Sequence, residues 1–85
     1  MNDSSWQKFV RLCDKSFEEC EFQEELISAC LGHDDIAKVV YYHNRTSSLK
    51  WLKSKIPAMD NLVPGKEIEK GNVKAIHNVL LSFPC

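Results

Sequence analysis

Apolar residues recur at helical spacing along almost the whole chain. Trp6, Phe9, Val10, Cys13 and Phe17 fall at i, i+3, i+4, i+7 and i+11, one stripe of a first helix with Ser4 or Ser5 as its N-cap. "EECEFQEELISACLG" repeats the pattern with Phe22, Leu26, Ala29 and Cys30 inward, glutamates outward and Gly32 as the stop. "HDDIAKVVYYHN" opens on an aspartate cap and aligns Ile36, Val39, Val40 and His43 on one side of a third helix, although Val-Val-Tyr-Tyr also carries strand propensity. In "RTSSLKWLKSKI", Thr46 or Ser47 caps a helix with Leu49, Leu52 and Ile56 inward, Trp51 at the edge of the stripe, and Lys50 and Lys53 on a basic flank. That helix must end by Ile56, because the residue before Pro57 is pushed out of helical backbone. Pro64 suits the first turn of a short helix that Gly71 ends, and Asn72 caps a last helix with Val73, Ile76, Val79 or Leu80, and Phe83 on its inner stripe. No alternating strand, hairpin signal or repeat is present, so the pattern predicts an all-α fold, a compact array of five or six short helices in one domain over residues 1–85.

Length sharpens what the core must do. A domain of 85 residues buries only roughly 60–65% of the surface its unfolded chain exposes, so a few large side chains (Trp6, Phe9, Phe22, Trp51, Phe83) must supply much of its stability. Trp51 and Leu52 are accordingly expected to be buried. The formal net charge is −1, but it is unevenly laid out: residues 1–35 carry nine acids against three bases, and residues 36–85 carry eight bases against three acids. This divides the domain into acidic N-terminal helices over 1–34 and a basic segment over 35–85, and suits docking of the halves or a partner charged on one face. No apolar run approaches the roughly 18 residues that span a bilayer, and "MNDSSWQKF" offers neither a basic segment nor an apolar signal region. The expectation is a soluble, cytoplasmic chain.

Little in the sequence points to chemistry. Cys13, Cys20, Cys30 and Cys85 could make two disulfides, or Cys13 and Cys20 could join Cys30 and His33, at C-x-x-H spacing, around a metal. Paired C-x-x-C knuckles and a secretion signal are both missing, which favours buried thiols with no metal and no cofactor. Asn44-Arg45-Thr46 is a glycosylation sequon by pattern only. His33, His43 and His77 are scattered, and no nucleophile has a base or an elbow beside it, so no enzyme is expected. Lys50, Lys53, Lys55, Lys66, Lys70, Lys74 and Arg45 could face phosphates, but lysines spread over several elements with a single arginine weigh against nucleic acid as the partner.

One stretch is more specific. "SSLKWLKSKIPAMDNLVPGKEIEKGNVKAIHNVLLSF" resembles the C-terminal toxin-binding domain of the Xre/MbcA/ParS antitoxins. The matching positions are Ser48, the Trp51-Leu52 pair, Pro57 with Met59, Pro64 seven residues on, Ile68, Gly71, Val73 and Leu80, and the resemblance covers about residues 35–83. Three features depart from the family pattern: Asp60-Asn61 stand where glycines are favoured, Ser48 replaces an alanine, and the run from Pro64 through Gly71 to Val73 is shorter.

The resemblance implies a non-enzymatic protein-binding module that neutralises a partner toxin, commonly a RES-type enzyme acting on NAD, by covering its active site. It also implies contacts through the last helix and tail: Val79, Leu80, Phe83, Pro84 and Cys85, with Lys70 and Lys74 as rim charges. Residues 1–34 are too acidic and too short for the DNA-binding helix-turn-helix that many members carry. The alternative is a small adaptor or phage-encoded inhibitor of a different protein, with a nucleic-acid-binding regulator ranked below it. Self-association is left open.

Overall fold

The computed structural model describes residues 2–82, the side chains of residues 2–4 and of Ala58 excepted, so Phe83, Pro84 and Cys85 lie outside the described residues. Six α-helices follow one another: α1 (Asn2–Glu18), α2 (Gln23–Ala29), α3 (Asp34–Asn44), α4 (Ser48–Lys53), α5 (Pro64–Glu69) and α6 (Val73–Ser82). Single 3-10 turns at Arg45–Ser47 and Pro57–Met59 lead into and out of α4. Among the described residues the only β pairing is one isolated antiparallel bridge between Ile56 and Leu62. The fold is all-α, as the 3.6-residue periodicity predicts.

α3 is the hub, packed against α1, α2, α4 and α6. Ile36, Ala37, Val39, Val40 and Tyr41 are all buried on it, more than one face of a helix can hold, which is why this segment reads as apolar enough for a strand. Each other helix contributes a few side chains to the same cluster: Trp6, Cys13 and Phe17 from α1, Leu26 from α2, Leu52 from α4, Ile68 from α5, and Ile76 with Leu80 from α6. Lys38 Nζ ties α3 to α1 through Asp14 at 2.9 Å and also pairs within α3 with Asp34 at 3.7 Å.

Several boundaries differ from the sequence reading, each for a local reason. α1 begins at Asn2, so Ser4 and Ser5 lie inside it and neither is the cap; an apolar stripe marks only the part of a helix that has something to pack on. Cys20 and Glu21 fall in the α1–α2 connection, where the Gln23 side-chain amide donates to the Phe17 carbonyl at 2.8 Å and satisfies an end of α1. α3 is preceded by His33 at the N-cap position, with Asp34 and Asp35 in the first turn, where their charge suits the helix dipole. Ser47 stands at the N-cap of α4 without a side-chain capping bond; the buried Ser48 hydroxyl instead donates to the Arg45 carbonyl at 2.6 Å. A serine is therefore satisfied where an alanine would also fit. Trp51 is half-buried and Leu52 is 2% exposed, because a helix of six residues has one inner face and Trp51 sits at its edge.

The segment between α4 and α5 is closed on itself. The Ile56 amide donates to the Leu62 carbonyl at 3.0 Å, and the Asn61 amide donates back to the Ile56 carbonyl at 2.9 Å. Asp60 (φ +56°) and Asn61 (φ +66°) both lie in the left-handed region. That answers the departure from glycine here, since Asp and Asn are the side chains that tolerate this backbone best. Met59 is tucked under the loop, 6% exposed, and α6 packs on the same turn.

Candidate partner-binding site

The contact set implied by resemblance is only partly presented. Leu80 is wholly buried, so as a direct partner contact it is corrected to a core residue: the inner stripe of α6 is consumed by α3, and the Leu80 carbonyl accepts a hydrogen bond from His43 Nε2 at 3.1 Å. Val79 is half-buried, Lys74 is exposed, and Phe83, Pro84 and Cys85 lie outside the described residues. Lys70 is exposed and reaches Glu67 at 3.4 Å, which reduces its value as a rim charge. Glu67 itself, 4% exposed, accepts from the Asn72 side-chain amide at 2.8 Å. The Asn72 bond, with help from Lys70, holds the Glu67 carboxyl below the ordinary carboxylate range against the cost of burial.

This clamp fixes the α5–α6 corner. The Gly71 amide donates to Ile68 and the Asn72 amide to Glu67, the two crossing bonds that close a helix whose next residue, Gly71 at φ +85°, is left-handed. The corner thereby sets where α6 leaves α5.

The apolar opening lies on the other side of α5. A groove of about 310 Å³ runs between the end of α2, α4 and the start of α5, its walls formed by Ala29, Leu52, Val63 and Gly65. Its rim carries Lys53 and Lys66, with Glu69 at one side. Gly65 eases the arrangement: a Cβ there would stand 3.0 Å from the Leu52 carbonyl oxygen, so any larger residue would have to push α5 and α4 apart by a few tenths of an ångström. Pro64 at the first position of α5 aims the helix, its missing N–H being one the helix would leave unpaired in any case. Two of the exposed large apolar residues border these elements in sequence, Leu31 two residues after Ala29 and Leu62 one before Val63.

The wall residues were not foreseen as a site. The Pro64-Gly65 dipeptide was the available signal, since glycine inside a helix start costs stability unless something packs against it.

Elsewhere the polar clusters read as structure. Trp6 Nε1 donates to Asp35 at 2.8 Å, and the Trp6 ring stacks on His77 with centroids 3.9 Å apart and planes 13° apart. Asp35 also faces His77 Nε2 at 3.8 Å, so one carboxylate orients both rings and seats α1 on α3 and α6. Burial, with a smaller push from Asp35, raises the Cys30 thiol to about 12, far from a nucleophile's range. Cys13 and Cys20 are buried as well. Among the described residues no group of three or more His, Cys, Asp or Glu is placed to hold a metal ion, and no helix is long and apolar enough to cross a membrane.

Compared with models of protein families, with curated proteins and with solved structures, the chain matches none.

Proposed function

We propose that this chain is an antitoxin-like protein-binding module that holds a partner toxin enzyme inactive by covering its active site. The observation that carries the reading is the open apolar groove between α2, α4 and α5, lined by Ala29 of α2 and otherwise by residues of the part of the chain that resembles the family. Leu52 supplies a wall, Pro57 ends the α4 region, and Pro64 starts α5 against α4. Of the residues that carry the resemblance, Leu52 lines the opening, and Pro64 starts the helix whose Gly65 lines it.

Inhibition of this kind asks no chemistry of the chain. Apolar surface left open on a small domain is a cost that docking removes, and a partner seated there loses access to its substrate by steric cover. The α6 surface around Lys74 and Val79, and the tail beyond it, would extend the contact.

The test is inhibition of a RES-type enzyme encoded beside this chain. NAD consumption should fall to background at equimolar chain, with a complex eluting as one species in size exclusion. Full activity and no complex would overturn the antitoxin reading and leave the adaptor. Removing residues 82–85 should weaken binding by about tenfold or more if the tail enters the enzyme, since single anchors are worth about 2 kcal/mol.

A further inference from the structure

Resting on the protein-binding reading, we propose that the α2–α4–α5 groove is the receptor for an acidic amphipathic segment of the partner, an apolar anchor flanked by carboxylates. The walls accept the anchor: Ala29, Leu52 and Val63 are apolar, and Gly65 leaves backbone where a side chain would fill the space. The rim selects the charge. Lys53 and Lys66 are exposed on it. Among the described residues the lysine ion pairs are those of Lys38 and Lys70, and the groove lysines pair with no described carboxylate. Only Glu69 opposes them at the rim.

Two positive charges at the edge of an apolar trough disfavour a basic ligand and attract a carboxylate-bearing one, and they do so before contact by steering the approach. An apolar anchor alone would fit the walls without using the rim. The acidic segment uses both.

The probe is a synthetic helix-forming peptide of leucine and glutamate, about twelve residues or three turns long, with a leucine–lysine peptide of the same pattern as control. Amide resonances of the full chain, assigned by nuclear magnetic resonance, report where each binds. The acidic peptide should shift Leu52, Lys53, Val63, Gly65 and Lys66, and the paired substitutions Lys53→Glu and Lys66→Glu should weaken it by about tenfold or more while leaving the melting temperature in place. Val63→Asp should do the same through the wall. No binding, equal binding of the basic peptide, or shifts centred elsewhere would overturn the proposal. Concentration-dependent dimerisation abolished by the lysine reversals would also overturn it, by making a second copy the occupant. The partner enzyme separates this proposal from the reading it rests on: a complex that survives both lysine reversals and Val63→Asp removes the groove and keeps the antitoxin, whereas peptide capture without any enzyme complex keeps the groove and removes the antitoxin.

Discussion

Leu31 holds a backbone conformation, φ +57°, that costs a leucine about 1–2 kcal/mol, and it does so to close α2. Its amide donates to Ser28 and that of Gly32 to Ile27, so Leu31 takes the first left-handed position past the helix and Gly32 (φ +89°), the expected stop, the second. Leu31→Asn should raise the urea midpoint, and Leu31→Val should lower stability by about 1 kcal/mol or more, a contrast that side-chain burial cannot produce because Leu31 is 56% exposed. Among the titratable groups, half-buried His43 and buried Cys30 shape stability on either side of neutral pH. Burial lowers His43, partly opposed by its bond to the Leu80 carbonyl, so the folded chain resists a proton the unfolded chain accepts. Stability is then full above the ordinary value of 6.5 and falls as pH drops below it. Cys30 works in the opposite sense, full below its ordinary 9.0 and falling as pH climbs toward about 12. Urea midpoints measured against pH should form a plateau between these limits, with the alkaline fall reduced in Cys30→Ala and the acid fall reduced in His43→Gln.

At the scale of elements, the contact of α4 with α5 carries a sharp expectation. Gly65→Ala would be favoured by helix propensity by up to about 1 kcal/mol, yet the new Cβ meets a backbone carbonyl that cannot rotate away. The clash should win, with a net loss of about 1–3 kcal/mol read from urea unfolding. Leu52→Ala should cost about 2–5 kcal/mol and Trp51→Ala less, following their burial. The existence of every helix was legible, because apolar spacing, Pro57, Pro64 and Gly71 act locally. The caps were less so. Ser4, Ser5 and Asp34 have the right chemistry for an N-cap, but all three lie inside their helices, and cap chemistry alone does not say where a helix begins. The groove was illegible for a different reason: Ala29, Leu52, Val63 and Gly65 come from three separate segments, and no periodicity announces that they meet. Leu80 failed as a contact because the stripe that makes a residue look sticky is the same stripe that makes it core.

For the whole molecule, the layout of charge survives folding. Lys38 bridges to Asp14 and His77 faces Asp35, but Glu18, Glu19, Glu21, Glu24 and Glu25 stay exposed on and between α1 and α2, while Lys53 and Lys66 stay exposed at the groove and Lys50 and Lys55 on and just after α4. A net charge of −1 therefore describes the sum and neither surface. A chromatographic resin reads surfaces, not sums, since its field decays within about 10 Å at moderate ionic strength. Near neutral pH and about 0.1 M ionic strength, where that decay length holds, the chain should be retained by both anion- and cation-exchange columns. The Lys53→Glu, Lys66→Glu double variant should lose the cation-exchange retention and keep the other. Purification on a single column chosen from the isoelectric point would thus misjudge this protein, whose two ends behave as an acid and a base joined through one core.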